Sequence, residues 1–167
     1  MAMASVKTQA ISGVSASVEN KVMTVYPSMA CTGLGRALGG LYDSIPIKIN
    51  GIKLSNLLFP LPLSPIALVI YFWLKVFGNK YVLTNRSLQV WQGIGTKMRT
   101  QVPLAEISEI DVVHLTGQAF YKAGDLVLFG PKGERLLRLG GIPRPDVFRQ
   151  AILKARDART QSDSALA

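Results

Sequence analysis

The chain has one cysteine, Cys31, and one histidine, His114, among its 167 residues. A single cysteine excludes an intrachain disulfide and any Cys-x-x-Cys metal or redox pair, and reads as a small buried or interfacial residue. A single histidine, ending a run in which Ile110 and Val112 alternate with polar residues, has no second imidazole with which to share a metal and reads as structural. No His-Glu-x-x-His, Gly-x-Ser-x-Gly or Walker pattern occurs, so hydrolytic and nucleotide-dependent chemistry have no foothold. The glycines around Gly33-Leu34-Gly35 follow no strand and open no βαβ unit, which excludes a dinucleotide fingerprint.

Acids are scarce too, ten against nineteen Lys and Arg. Their densest group is Glu106, Glu109 and Asp111. In a strand, Glu109 and Asp111 share a face that Glu106 does not, the pattern of a solvated edge. A catalytic role would need a polar pocket holding His114 beside Glu109 or Asp111. The reading is therefore a non-enzyme with no cofactor, no metal and no small-molecule substrate.

What remains is basic and apolar together: net charge +9, pI about 9.9 and mean hydropathy +0.27. Nucleic-acid binders are usually basic and hydrophilic, and here the cations are scattered with no stacking aromatic set among them, so no nucleic-acid partner is expected. Basic and apolar character suits an anionic membrane surface. The first residues, 1–21, lack the apolar run of a cleaved secretory signal and read as a mobile tail.

The longest uncharged stretch, Leu54–Leu74, exceeds the 18 or so apolar residues that mark a membrane segment, so residues 54–77 are read as a transmembrane or re-entrant hydrophobic segment, with Leu57, Leu58, Leu68, Val69, Ile70, Phe72 and Trp73 as anchor residues. Pro60, Pro62 and Pro65 crowd its first half, where each removes a backbone donor that hydrocarbon cannot replace. Ser64-Pro65 resembles an N-cap and first-turn pair, predicting a helix from there to Phe77 of about 18–20 Å, short of a bilayer core. Two arrangements follow, a kinked span that recruits Leu57–Leu63 or a re-entrant loop with PLPLSP at its tip. Tyr71, Phe72 and Trp73 followed by Lys75 and Lys80 mark one membrane interface.

Residues 22–53 read as a Gly-rich membrane-proximal segment. Leu34, Leu38, Leu41 and Tyr42 recur at helical spacing but are interrupted by glycines that cost a helix about 1 kcal/mol each. The segment is either an interfacial helix or a close-packing surface built on Gly35 and Gly39. Ile47, Ile49 and Ile52 alternate around Asn50-Gly51, a hairpin signal.

From residue 79 the pattern changes to KYVLTN, SLQVWQG, KMRTQVPL, ISEIDVVHL, DLVLFG and RLLRLGG, six short runs separated by turn residues that read as consecutive antiparallel strands. Pro145-Asp146 then opens an amphipathic helix with Val147, Phe148, Ala151, Ile152 and Ala155 on one stripe. The expected fold is mainly β with one C-terminal α-helix, a barrel or sandwich over residues 79–159 preceded by the hydrophobic segment and followed by a tail, 160–167.

Tyr81-Val82-Leu83-Thr84-Asn85, Val102-Pro103-Leu104-Ala105-Glu106-Ile107 and Ile142-Pro143-Arg144-Pro145 resemble the bacterial pleckstrin-homology-like family of YdbS- and YdbT-type membrane proteins, over about residues 81–152. The resemblance implies a pleckstrin-homology-like fold, membrane segments ahead of it, and a bacterial inner-membrane location with the β domain cytoplasmic. Lipid-binding pleckstrin domains carry several cations along the first strand-loop-strand, whereas Asn85-Arg86-Ser87 offers one. Generic attraction to anionic lipid is assigned to Lys75, Lys80, Arg86, Lys97 and Arg99, at up to about 1 kcal/mol per cation. The expected function is a membrane-anchored binding or scaffold module presenting its β domain to a protein partner, to itself or to lipid; the alternative is an accessory assembly subunit of a larger membrane complex.

Overall fold

The computed structural model describes residues 19–44, 48–49, 52–53, 60–93 and 97–164. In chain order it contains β1 (Lys21–Val25), a 3-10 turn at Met29–Cys31, α1 (Gly33–Asp43), the short strands β2 (Lys48–Ile49) and β3 (Ile52–Lys53), and α2 (Pro60–Phe77). There follow β4 (Asn79–Thr84), β5 (Ser87–Gln92), β6 (Met98–Pro103), β7 (Glu109–Val113), β8 (Ala123–Phe129), β9 (Arg135–Pro143) and α3 (Pro145–Ser164). The six strands expected after residue 79 are all present.

Together with β1 they form two antiparallel sheets, β1-β4-β5-β6 and β7-β8-β9. Alternation decides which side chains meet between them. Tyr81 and Leu83 of β4, Leu88 and Val90 of β5 and Val102 of β6 face Ile110, Leu126, Leu128, Leu139 and Ile142 of the second sheet. Phe148 and Ile152 of α3 close the core. Val147, read from the sequence as part of that stripe, is instead 54% exposed, because the helix turns only its Pro145, Phe148 and Ile152 face inward. α3 also continues past residue 159 to Ser164, helped by an Arg159–Asp163 ion pair of 2.8 Å one turn apart.

β1 is the strand that the sequence pattern does not announce. It pairs antiparallel with β4, Val25 opposite Tyr81 and Thr24 opposite Val82. Residues on both sides of α2 therefore build one sheet, and residues 26–78 form the connection between two neighbouring strands. β2 and β3 pair as Lys48↔Lys53 and Ile49↔Ile52, around the expected Asn50-Gly51, which lies outside the described residues.

α2 begins at Pro60 rather than at Pro65. Pro60 and Pro62 fall in its first turn, where backbone N–H groups have no intrahelical acceptor and their loss costs little. Pro65 lies inside the helix. The eighteen residues extend about 27 Å at 1.5 Å each. Among the described residues, no helix is long and apolar enough to cross a membrane.

Candidate functional site

α2 is fastened to the β domain at its C-terminal end. The Gly78 N–H donates to the Leu74 carbonyl at 2.8 Å and the Gly93 N–H, at the end of the β5 hairpin arm, donates to the Gly78 carbonyl at 2.7 Å. A side chain on Gly93 would collide with the Lys75 carbonyl, so the approach depends on glycine. The Lys75 ammonium lies 5.8 Å from the Tyr26 ring and 5.6 Å from the Tyr71 ring, a cation–π bridge between the chain just past β1 and the helix. A groove of about 330 Å³ runs along this junction, lined by Pro27, Cys31, Leu74, Phe77, Arg99 and Gly140 among others.

Away from that root the helix presents bare apolar surface. Leu68, Val69, Phe72 and Trp73 are 58%, 67%, 55% and 63% exposed, and Tyr71 and Phe77 are exposed as well; Ile70 is half-buried. Leu57 and Leu58 lie outside the described residues. These residues form a contiguous apolar stretch on one element rather than singly scattered surface residues.

The five cations assigned to lipid contact separate into two groups. Lys75 is on α2 itself, Lys80 opens β4 opposite Trp91, Trp91 pairs with Met98, and Lys97 and Arg99 flank Met98; these four gather at the α2 end of the sheet. Arg86 sits in the β4–β5 turn at the other end, roughly 15–20 Å away along the strand.

α1 answers the choice between interfacial and close-packing readings on its glycine side. Gly35, Gly39 and Tyr42 are its buried residues. A Cβ on Gly39 would collide with the Gly117 carbonyl oxygen and stand 2.8 Å from the Tyr121 ring; one on Gly117, whose φ is +82°, would collide with the Arg36 carbonyl. Backbone thus meets backbone, while Leu34 and Leu41 face outward, 60% and 62% exposed, and Leu38 is half-buried.

Beneath α1 lies a polar centre that sequence reasoning did not find. Asp125, 4% exposed, accepts from Gln118 Nε2 at 2.5 Å and Gly141 N–H at 2.9 Å through Oδ1, and from Arg138 Nε at 2.9 Å and Nη2 at 2.6 Å through Oδ2. Gln118, fully buried, accepts from the Leu115 N–H at 2.8 Å. Burial alone pushes the Asp125 carboxyl up, but the Gly141 N–H, the Gln118 amide and the Arg138 guanidinium more than offset it and hold it below the usual carboxylate range. The one signal available was Asp125 itself, an acid heading the otherwise apolar run Leu126–Phe129. Cys31 lines the same cavity; burial pushes its thiol up, away from the thiolate form.

The motif residues have structural duties. The Tyr81 hydroxyl donates to the Gly140 carbonyl at 3.3 Å and accepts from the Gly140 N–H at 3.1 Å, tying one sheet to the other; burial pushes its pKa up to about 12. Thr84 Oγ1 accepts from the Ser87 N–H at 2.8 Å and the Arg86 N–H at 3.2 Å, closing the β4–β5 turn. Asn85 exchanges hydrogen bonds with the Asn20 backbone and so seats the start of β1. Pro103 ends β6, and Pro145 starts α3 after Arg144, whose φ is +52°.

His114 lines an apolar groove with Lys122, Arg144, Pro145 and Val147, its Nδ1 3.2 Å from the Ala123 carbonyl oxygen. Glu109 and Asp111 are exposed on β7 and do not line it. Among the described residues no cluster of three or more His, Cys, Asp or Glu is set to hold a metal.

Comparison with curated proteins finds no significant match. The family model described as Bacterial PH domain matches residues 34–156, beginning within α1, so it takes in α2 and strands β2–β9 but not β1. Two packed antiparallel sheets, a C-terminal helix and this match agree, and they point to a binding or scaffold module. The chain belongs to the bacterial PH domain family.

Proposed function

We propose that the protein is a membrane-attached binding module, in which α2 enters the lipid and the β domain is held at the bilayer surface to engage a protein or lipid partner. The observation that carries this reading is the bare apolar surface of α2, exposed at Leu68, Val69, Phe72 and Trp73 while its root is clamped to the domain at Gly78 and Gly93. In water that surface is unfavourable at about 25 cal/mol per Å²; in hydrocarbon it is not. Lys75, Lys80, Lys97 and Arg99 at the same end suit anionic headgroups.

The pairing of β1 with β4 favours the re-entrant arrangement over the single span. Residue 26 leaves the domain and residue 79 returns to it, so the connection must cross the membrane an even number of times. α1 stays docked on the domain as far as Asp43. The chain from Ser44 to Pro60 carries Lys48 and Lys53 and is shorter than the roughly 20 apolar residues of a spanning helix. α2 therefore dips into the bilayer and returns on one face, which we take to be the cytoplasmic face of a bacterial inner membrane.

Alkaline carbonate extraction of membranes tests the attachment: the native chain stays in the pellet, and replacing Leu68, Val69 and Phe72 with Ser releases a protein whose circular dichroism is still that of a β domain. Release of the native chain sinks the proposal. In a Cys31→Ser background, Lys53→Cys and Lys80→Cys react with an impermeant maleimide from the same side, only after lysis of spheroplasts; labelling from opposite sides removes the re-entrant arrangement.

A further inference from the structure

The cavity of about 350 Å³ between α1 and the second sheet is lined by Ala30, Cys31, Arg36, Leu115, Gln118, Asp125, Arg138 and Gly140. Its one carboxylate is already saturated, because both Asp125 oxygens hold two donors each and Arg138 supplies the counter-charge. Arg36 is different. Its guanidinium makes no ion pair among the described residues, and its Nε is fully enclosed without a hydrogen-bond acceptor. An enclosed N–H without an acceptor is costly to a fold, although the Arg36 side chain as a whole is only half-buried. The Arg36 backbone is held firmly, its carbonyl close against Gly117.

We infer that this cavity takes a small oxyanion, a phosphate group, as the counter-ion of Arg36. The wall is preorganised for it: Gln118 and Arg138 are fixed by Asp125, and Gly140 leaves open space, since a Cβ there would meet nothing closer than Asp125 Oδ1 at 3.9 Å. Guanidinium pairs with phosphate through charge-assisted hydrogen bonds of well-defined geometry. The cavity shares Cys31 and Gly140 with the groove at the root of α2, so a phosphate could arrive free from solution or on a lipid headgroup. The site itself does not depend on α2 entering a membrane.

The test is thermal unfolding of the full chain in a non-ionic detergent, in inorganic phosphate against chloride at matched ionic strength, since a ligand that binds only the native state raises the melting temperature. Phosphate is expected to stabilise the native protein. Arg36→Gln is expected to lose at least tenfold in phosphate affinity, to melt no lower than the native protein in chloride because an uncompensated charge is gone, and to melt lower than it in phosphate. Gly140→Leu, which fills the cavity and keeps Arg36, loses the phosphate response too. A second arm uses dioctanoyl phosphatidic acid. Tighter binding than inorganic phosphate identifies the headgroup as the source and equal binding identifies free phosphate, in each case only if Arg36→Gln abolishes it. Equal melting in phosphate and chloride, or a response unchanged by Arg36→Gln, overturns the inference.

Discussion

Gly39 and Gly40 are adjacent in one helix, yet alanine at the two positions should act with opposite sign. Gly40 has open space, its nearest contact for a Cβ being Thr116 Cγ2 at 3.8 Å. Gly40→Ala therefore gains the helix propensity difference, about 0.9 kcal/mol. At Gly39 the same gain is overridden, because the new methyl must push away the Gly117 carbonyl and the Tyr121 ring. Overpacking against backbone costs up to about 3 kcal/mol, which leaves a net loss of about 2 kcal/mol. Amide hydrogen exchange reads local opening of α1 directly. The expected result is exchange at Leu41 and Tyr42 about 30-fold faster in Gly39→Ala and about fivefold slower in Gly40→Ala. Shifts of the same sign would refute the backbone-to-backbone docking of α1.

Tyr81→Phe leaves the Gly140 N–H without its hydroxyl partner and should cost about 1–3 kcal/mol at neutral pH. Because the folded pKa is raised, the native stability tied to this phenol is complete below pH 10 and is lost as pH rises toward about 12; circular dichroism melts across that range should show this alkaline loss in the native protein and not in the variant. Asp125→Asn removes the partner of Arg138 and should cost about 2–4 kcal/mol. The carboxyl is held below its ordinary value of 3.8, so its contribution is complete above about pH 4 and is lost as pH falls further, and the gap between native and Asn melting temperatures should narrow on acidification. Thr84→Val keeps the shape but not the acceptor for Ser87 and Arg86, and should lower the melting temperature by roughly 2–8 °C at about 1–2 kcal/mol. A fragment covering 79–167, which lacks the partner strand of β4, should melt well below the full chain.

The strands after residue 79 were legible because they are short runs rich in β-branched, aromatic and Leu residues bounded by turn residues. β1 was not. Lys21–Val25 has one buried residue, Val25, and four exposed ones, so its pairing rests on backbone hydrogen bonds and on the Asn20–Asn85 exchange rather than on an apolar pattern. The start of α2 was misread for a related reason: Ser64-Pro65 looks like a helix opening in sequence, but proline is equally at home in the first turn that Pro60 begins. The polar cavity was invisible because its members, Arg36, Gln118, Asp125 and Arg138, are far apart in sequence: the pairing of β8 with β9 brings Asp125 and Arg138 together, and the docking of α1 adds Arg36. The family's motif residues do structural work, since Tyr81, Thr84 and Asn85 spend their polar groups on the sheet and its turns.

The position of α2 in the chain matters more than its length. A helix appended ahead of a domain is tied to it by one covalent joint and can swing. α2 is inserted between β1 and β4, strands hydrogen-bonded to each other with Val25 opposite Tyr81, so both ends of the insertion are fixed about 5 Å apart. Its C-terminal turn is held again by the Gly93–Gly78 hydrogen bond and by Lys75 between Tyr26 and Tyr71. Three independent restraints at one end of the sheet leave the helix little freedom to tilt against the β domain. On the proposed attachment through α2, the surface of the domain that faces the bilayer carries Lys80, Lys97 and Arg99, with Cys31 and Gly140, shared by the groove and the Arg36 cavity, beside them. The Arg86 turn and the His114 groove are left outside that set, Arg86 at the opposite end of β4, which makes the β4–β5 turn the natural place to attach a probe without disturbing the attached face.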